Sequence, residues 1–140
     1  SSGGVLGGGN GLDLMEGGPA SDRLNGNRGP DELFGGAGID ALNGGFGRDI
    51  IFGGPGDDEI RGGPGSDIFI ITRNDGFDRI AFQRIDELDI SDFGFRDFER
   101  DVAPRLERDG SATLLDLGDG DGARLDGVRP AQLDADNLIL

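Results

Sequence analysis

A nine-residue unit repeats seven times without a gap between residues 8 and 70, and this period constrains the fold more than any other feature of the chain. The units read GGNGLDLME, GGPASDRLN, GNRGPDELF, GGAGIDALN, GGFGRDIIF, GGPGDDEIR and GGPGSDIFI. Glycine fills the first position of every unit, aspartate fills the sixth, and a large apolar residue fills the eighth. Disordered low-complexity segments do not keep such a phase, so the period predicts a solenoid of stacked units.

Three classes of position define the unit. Glycine also occupies the second position, except at Asn27, and the fourth position, except at Ala20. The sixth-position aspartates are Asp13, Asp22, Asp31, Asp40, Asp49, Asp58 and Asp67. The eighth-position apolar residues are Met15, Leu24, Leu33, Leu42, Ile51, Ile60 and Phe69. This arrangement separates turn-forming, charged and core-forming residues within every unit.

The pattern G-G-x-G-x-D-x-U-x, in which U is large and apolar, resembles the RTX (repeats-in-toxin) or hemolysin-type calcium-binding nonapeptide family. The resemblance implies an all-β fold, a right-handed parallel β-roll with a C-terminal β-rich cap. In that fold each unit forms a loop followed by a short strand. Two units complete one turn, so the loops of odd and even units lie on opposite edges of the roll.

Physical chemistry independently favours a bound cation. The eighth position forms one apolar column, and each side chain contributes about 1.5–3 kcal/mol, which cannot offset ordering a whole unit at about 1–2 kcal/mol per residue. Aspartates on one edge would lie about 4.8 Å apart and repel by about 3.5 kcal/mol at an effective dielectric of about 20. A hard divalent cation removes this repulsion and takes oxygen ligands, so we expect calcium to stabilise the roll.

The resemblance implies which groups hold each ion. One loop supplies the carbonyls of positions two and four and its aspartate, and the next loop on the same edge supplies the carbonyls of positions one and three and its aspartate. The sharing pairs are Asp13 with Asp31, Asp31 with Asp49, Asp49 with Asp67, Asp22 with Asp40, and Asp40 with Asp58, which gives about five full sites. Asn27 and Ala20 still offer carbonyls there, with local strain the open question.

An eighth, degenerate loop follows the insertion Ile71-Thr72. Residues 73–80 read x-x-x-G-x-D-x-U, which makes Asp78 a candidate partner of Asp58 in a sixth site. An ordinary turn between strands is the competing interpretation. The candidate metal-site residues are together Gly9, Gly11, Asp13, Gly18, Ala20, Asp22, Gly26, Asn27, Arg28, Gly29, Asp31, Gly35, Gly36, Ala37, Gly38, Asp40, Gly44, Gly45, Phe46, Gly47, Asp49, Gly53, Gly54, Pro55, Gly56, Asp58, Gly62, Pro64, Asp67 and Asp78.

The chain is predicted to divide at residue 72 into a roll, residues 1–72, and a capping region, residues 73–140, packed as one unit. In the cap, alternating apolar residues predict strands over residues 86–91 and 112–117, and residues 118–122 are typical of a hairpin turn. Residues 94–102 are predicted to form a short helix with Phe95 and Phe98 inward. The cap resembles the C-terminal flank of RTX proteins, which implies a type I secretion signal ending in residues 136–140.

The two outer faces of the roll differ in polarity. The outward positions of the odd strands are mostly apolar, and those of the even strands mostly polar. The odd positions are Leu14, Glu16, Glu32, Phe34, Ile50, Phe52, Ile68 and Ile70. We expect the cap to cover this apolar face, because an exposed stripe would be a liability; the alternative is a partner-binding face.

Charge and composition limit the remaining functions. The formal net charge is −15, which argues against nucleic-acid partners, and no apolar run is long enough to span a membrane. Cysteine and histidine are absent, which removes thiol nucleophiles, the usual zinc ligands and histidine acid–base chemistry. No nucleophile–base constellation is visible, so we expect no enzymatic activity in this segment and place any catalytic domain upstream.

We expect a secreted, extracellular bacterial module that folds on binding calcium and assists type I secretion and folding of a larger protein. Its expected partners are calcium and the type I secretion machinery. The alternative is a polysaccharide-binding module similar to the R-modules of alginate epimerases. Candidate glycan-contacting residues are then Arg23, Arg28, Arg48 and Arg61, although the acidity of the chain opposes binding of anionic glycans.

Overall fold

The computed structural model describes residues 3–140, which contain fourteen strands. In the repeat region these are β1 Val5–Asn10, β2 Leu14–Gly18, β3 Arg23–Arg28, β4 Glu32–Gly36, β5 Ala41–Phe46, β6 Ile50–Phe52, β7 Glu59–Arg61 and β8 Ile68–Ile70. In the capping region they are β9 Phe77–Ala81, β10 Glu87–Asp89, β11 Leu106–Asp109, β12 Ala112–Gly118, β13 Asp121–Asp126 and β14 Leu138–Ile139.

Consecutive strands from β1 to β10 alternate between two sheets, and β11, β12 and β13 all belong to the first. One sheet has the order β1-β3-β5-β7-β9-β13-β12-β11, and the other has the order β14-β10-β8-β6-β4-β2. Within the repeats the neighbours are parallel and shifted by two units, so that Leu24 pairs with Leu42 and Leu33 pairs with Ile51. This parallel register confirms the predicted β-roll, in which each strand crosses to the opposite sheet through a glycine-rich loop.

The eighth position of each unit points between the sheets, as the pattern predicted. The relative exposure of these seven side chains runs from 0 % at Leu24 to 6 % at Met15. The column begins half a turn before the first recognised unit, because Leu6 of β1 pairs with Leu24. The sequence pattern did not show this extra half-turn, since Gly4 stands where the other units carry aspartate.

The capping region continues the two sheets and then closes the space between them. Strand β9 pairs with β7, and β10 pairs with β8, so the cap first adds one more turn to the roll. The antiparallel hairpin of β12 and β13 then joins β9 through β13. The ring of Phe82 lies 5.9 Å from that of Phe69, and Leu88, Val102 and Leu125 are fully buried, so one apolar core runs from the roll into the cap.

The helical part of the cap begins and ends later than the sequence predicted, and it consists of two short turns. A π-helical turn covers Phe98–Val102 and a 3-10 turn follows at Ala103–Arg105. Asp97 begins the helical segment, because its side chain accepts a hydrogen bond from the backbone N–H of Arg100 at 2.8 Å. Phe95 and Phe98 pack against the core as expected. None of the helices in residues 3–140 is long and apolar enough to cross a membrane.

The expected position of the cap is wrong. Strands β4 and β6 pack mainly on other strands of the roll, and their outer residues Phe34 and Phe52 remain half-buried, with their rings 6.3 Å apart. Because β10 stacks in register on β8, the cap grows along the axis of the roll and closes its end. The outer apolar face of the odd strands is therefore left beside the cap rather than beneath it.

Candidate metal centre

The repeat aspartates form a ladder along each edge of the roll. One carboxylate oxygen, Oδ1, accepts a hydrogen bond from the backbone N–H of the aspartate eighteen residues earlier. On the odd edge the distance is 2.9 Å for Asp13 to Asp31, Asp31 to Asp49, and Asp49 to Asp67. On the even edge it is 2.6 Å for Asp22 to Asp40 and 2.8 Å for Asp40 to Asp58. Each loop is thereby tied to the next loop on its own edge.

The other oxygen of these side chains has no partner. In the described residues, Oδ2 is buried and without a hydrogen bond in Asp13, Asp22, Asp31, Asp40, Asp49, Asp58, Asp67 and Asp78. A buried polar atom without a partner costs about 1–3 kcal/mol, and more when it is charged. Eight such atoms in one small chain indicate a ligand that the protein atoms do not supply, rather than eight separate defects.

The unpartnered oxygens of four aspartates lie close to a carbonyl oxygen of the next loop on the same edge; they are those of Asp13, Asp22, Asp31 and Asp40. A methyl group placed on Gly35 would lie 2.5 Å from Oδ2 of Asp40 and 2.6 Å from the carbonyl oxygen of Gly53 in the following loop. A methyl group placed on Gly8 would likewise lie 2.6 Å from Oδ2 of Asp13 and 2.9 Å from the carbonyl oxygen of Gly26. Oxygens of two consecutive loops therefore converge on one point, and the absence of a side chain at the first position keeps that point open.

Backbone carbonyls complete this arrangement. The N–H of Gly45 donates to the carbonyl of Gly62 at 2.8 Å, and that of Gly47 donates to Pro64 at 3.1 Å, so the carbonyls of positions one and three face the preceding loop. The carbonyl of position two faces the following loop, since that of Gly18 accepts the N–H of Ala37 at 2.9 Å. Each gap between same-edge loops is consequently lined by oxygens from both sides, which is the environment that calcium prefers.

The two departures from glycine have different consequences. Asn27 has φ of 79° and reproduces the left-handed conformation of the glycines, which asparagine tolerates better than most residues. Ala20 is not among the residues with positive φ, whereas the fourth-position glycines such as Gly38 are. In that loop the hydroxyl of Ser21 instead accepts the N–H of Ile39 at 2.9 Å. The gap between the second and fourth loops is therefore the irregular one.

Residues 73–78 form an eighth loop in register with the sixth. The N–H of Asp58 donates to Oδ1 of Asp78 at 2.9 Å, and the N–H of Gly56 donates to the carbonyl of Asp75 at 2.7 Å. Asn74 has φ of 67°, the same left-handed conformation that Asn27 adopts in the third loop. The backbone of this segment is thus that of a repeat loop, despite the lost period.

The family of calcium-binding RTX nonapeptide repeats, in four copies, matches residues 7–42 and 34–69. The chain belongs to this RTX family. It is accordingly a calcium-binding repeat domain rather than an enzyme. No curated protein matches the chain.

Solved structures resemble this RTX chain, and the two with a TM-score above 0.5 share its fold. The AlgE6R2 subunit of the mannuronan C5-epimerase of Azotobacter vinelandii is 29 % identical, over 90 % of this chain and 91 % of that one, with a TM-score of 0.69. The AlgE6R3 subunit of the same enzyme is 33 % identical, over 94 % and 80 %, with a TM-score of 0.37. The extracellular lipase LipA of Serratia marcescens is 15 % identical, over 95 % of this chain and 39 % of the lipase, with a TM-score of 0.53.

Burial controls the protonation of the ladder in the RTX roll. Desolvation raises the pKa of Asp58 and of Asp67 to about 6, and that of Asp78 to about 8; the neighbouring aspartates add to the shift. The pKa values of Asp40 and Asp49 are raised for the same reason. At neutral pH the raised pKa of Asp78 therefore favours its protonated form, and all five carboxylates hold a proton more readily than an ordinary aspartate does.

The apo roll should gain stability as the pH falls. Because the folded-state pKa values of Asp58, Asp67 and Asp78 lie above the unfolded value, the stabilisation is fully present below about pH 4 and is lost between about pH 4 and 8. In chelator, the strand signal in circular dichroism should be larger at about pH 5 than at about pH 8. A strand signal that is independent of pH, or that grows as the pH rises, would contradict this electrostatic description of the loops.

The described residues include no group of three or more acidic side chains placed to hold a metal ion. The aspartates instead form a ladder, with one carboxylate from each loop, and most oxygens that line a gap are carbonyls. An ion in such a gap would be held by a rigid backbone cage with few charged ligands. Selectivity would then follow from the spacing of the carbonyls, which the loop register fixes.

Asp86 extends the row of aspartates on the odd edge and was not identified from the sequence. Oδ1 of Asp86 accepts the N–H of Asp67 at 3.1 Å, while its Oδ2 accepts the N–H of Gln83 at 2.7 Å. The side-chain amide of Gln83 also donates to the carbonyl of Gly63 at 2.5 Å. Its loop lacks glycine and the spacing from Asp67 is nineteen residues, so no repeat pattern could show it. This rung closes the odd edge with protein donors.

Proposed function

We propose that calcium ions occupy the gaps between consecutive loops on each edge of the roll. The sharing pairs would be Asp13 with Asp31, Asp31 with Asp49, Asp49 with Asp67, Asp22 with Asp40, Asp40 with Asp58, and Asp58 with Asp78. The observation that carries this proposal is the row of buried, unpartnered Oδ2 atoms, of which those of Asp13, Asp22, Asp31 and Asp40 lie close to a carbonyl of the next loop. A bound calcium ion neutralises these oxygens and bridges two loops at once.

Calcium binding and folding are proposed to be one event. The unfolded chain, with a net charge of −15 and glycine-rich acidic repeats, has the composition of a disordered segment. Ions that bind only the folded form add their binding free energy to its stability. In a compartment poor in calcium the segment would stay unfolded and competent for export; outside the cell it would fold and assist folding of a larger exported protein.

The secretion part of this proposal requires its own test. A reporter protein carrying residues 1–140 at its C-terminus would be expressed with a type I exporter and measured in the medium. The matched control lacks residues 136–140 and keeps the whole repeat region. Export of the full fusion, with loss in the control, supports a secretion signal at the end of the chain. Equal amounts of both proteins in the medium would remove secretion from the proposed function.

The ligand scheme predicts unequal effects for two aspartates. In this scheme Asp40 binds two ions, one shared with Asp22 and one shared with Asp58. Asp22 binds only the ion that it shares with Asp40. Asp40→Ala should therefore lose about twice as many calcium ions as Asp22→Ala, measured by native mass spectrometry at saturating calcium. The control Glu107→Ala removes one charge from the exposed strand β11 and should bind as many ions as the parent chain. Equal losses for the two aspartate variants would rule out sharing between adjacent gaps.

A polysaccharide-binding role is the second candidate, because the chain resembles a subunit of a mannuronan C5-epimerase. A polar groove runs along the outer face of the even strands, with Arg23, Asn25, Asn43 and Arg61 among its lining residues. The other two candidate arginines, Arg28 and Arg48, do not line this groove. The guanidinium of Arg28 stacks on Phe46, 5.9 Å from the centre of its ring.

The guanidinium of Arg48, the second of those arginines, lies 3.6 Å from the carboxylate of Glu87 and is already paired. Arg61 is likewise paired, with Glu59 of the same groove at 3.0 Å. A glycan role thus depends mainly on Arg23, with Arg61 as a second contact. Binding of mannuronan oligosaccharides in calcium, measured by calorimetry, should be weakened by Arg23→Ala with Arg61→Ala and unchanged by Arg28→Ala. Absence of heat with the parent chain would end this candidate.

A further inference from the structure

The even edge of the roll ends at a cap residue that no repeat pattern includes. Asp121 begins strand β13, is 6 % exposed, and lies forty-three residues beyond the last even-edge rung, Asp78. Its Oδ2 accepts the N–H of Asn74 at 2.9 Å, and its Oδ1 accepts the N–H of Gly76 at 3.0 Å. The cap hairpin therefore contacts the eighth loop, residues 73–78, through this carboxylate and through the N–H of Gly122, which donates to the carbonyl of Gly76 at 3.0 Å.

The two N–H groups that Asp121 accepts are those of positions two and four of the eighth loop. Between loops of the roll, the same two groups donate to the carbonyls of positions one and three of the next loop, as Gly45 does to Gly62 at 2.8 Å and Gly47 to Pro64 at 3.1 Å. The two oxygens of Asp121 thus stand where a ninth loop would place two carbonyl oxygens. In the roll, these carbonyls line a gap together with the Oδ2 of the preceding aspartate.

That preceding aspartate is Asp78, and its state supports a ligand. Asp78 is 1 % exposed, and its Oδ2 is among the buried oxygens without a partner. Its Oδ1 is bonded to the N–H of Asp58 behind it. By the geometry of the ladder, Oδ2 belongs to the gap ahead of it, on the side of Asp121.

The odd edge ends in a comparable way, at Asp86, whose two oxygens both accept hydrogen bonds. There Gln83 supplies two protein donors, its amide to the carbonyl of Gly63 and its N–H to Oδ2 of Asp86. At the even end, both oxygens of Asp121 likewise accept hydrogen bonds. The aspartate behind each closing carboxylate, Asp67 on the odd edge and Asp78 on the even edge, keeps an Oδ2 without a donor in the described residues. At the even end, a buried carboxylate oxygen without a donor therefore lies on the side of a second buried carboxylate, an arrangement that favours a cation.

We propose a further calcium site at the junction of roll and cap, in which Oδ2 of Asp78 and the carboxylate of Asp121 bind one ion. This inference rests on the proposed function, because it extends the same loop chemistry by one gap. The side chain of Asp121 replaces the two carbonyls of an absent loop and brings a second negative charge to the site. The ion joins the β12–β13 hairpin to the eighth loop, so calcium binding orders the cap as well as the roll.

The test compares the number of bound ions in the full chain and two variants by native mass spectrometry at saturating calcium. Asp121→Asn should bind one ion fewer than the parent chain. The matched control, Asp119→Asn, removes the same charge from the same turn at an exposed residue with φ of 56°, which asparagine adopts readily; it should bind as many ions as the parent. If Asp121→Asn retains the full number, Asp121 is only a hydrogen-bonding cap and the inference is wrong.

Two further outcomes separate this inference from the proposed function. A parent chain that binds no calcium would overturn both the proposed function and the junction site. If the parent binds calcium and Asp121→Asn binds the same number of ions, only the junction site is overturned. Should Asp121→Asn fail to fold, the parent chain decides: crystals grown with terbium should show an anomalous peak between Asp78 and Asp121. Peaks in the roll without one at the junction would refute the site.

Discussion

Truncation after Thr72 should leave a chain that aggregates when calcium is added, or that needs a far higher calcium concentration to fold. The cut removes β9 and β10, which pair with β7 and β8, and so opens the end of the apolar column. Phe69, which is fully buried in the intact chain, loses the ring of Phe82, and terminal units of a solenoid depend on such capping. Size-exclusion chromatography and circular dichroism across a calcium titration measure the effect.

Two single substitutions distinguish capping from general loss of apolar contact. Phe82→Ala removes a side chain that is 2 % exposed and packs on Phe69, so it should cost about 3–5 kcal/mol and raise the calcium concentration needed for folding. Phe52→Glu alters the half-buried outer face, where the cap does not lie. It should raise the calcium concentration needed for folding much less than Phe82→Ala does. A soluble monomer of residues 1–72 that folds at the calcium level of the intact chain would show that the cap has no structural role.

The roll could be predicted from the sequence because its two determinants are local and repeated. One apolar residue in every unit specifies the inward column, and the glycines at positions two and four supply the left-handed conformations that the loops require. The parallel register follows from the period, as the pairing of Leu33 with Ile51 shows. The aspartates could be assigned to one edge or the other for the same reason.

The ends of the ladder could not be predicted, because they depend on contacts between residues that are distant in sequence. Asp121 meets Asn74 and Gly76 only after the hairpin of β12 and β13 has joined β9. Asp86 takes its place through a shortened loop without glycine. The cap was expected over the apolar face because its strands could be recognised but their pairing could not; their stacking on β7 and β8 is a property of the tertiary structure.

Calcium should convert the chain from a largely disordered state into the roll, and this is the largest change we expect. Without the ion, the folded form would bury a row of carboxylate oxygens such as Oδ2 of Asp49, which is unpartnered in a residue with 0 % exposure. Adjacent rungs repel by about 3.5 kcal/mol at an effective dielectric of about 20, and a column of one side chain per unit cannot offset that cost. An ion in each gap replaces repulsion by attraction.

The most direct measurement is far-ultraviolet circular dichroism of one sample of the full chain, first in excess chelator at neutral pH and then after addition of millimolar calcium. The control is the same addition of magnesium, which holds its waters and demands octahedral geometry, and which should restore little of the signal. We expect the chelated chain to lack strand signal and the calcium-loaded chain to show it. A full strand signal in chelator, unchanged by calcium, would contradict the account that ions between the loops fold this roll.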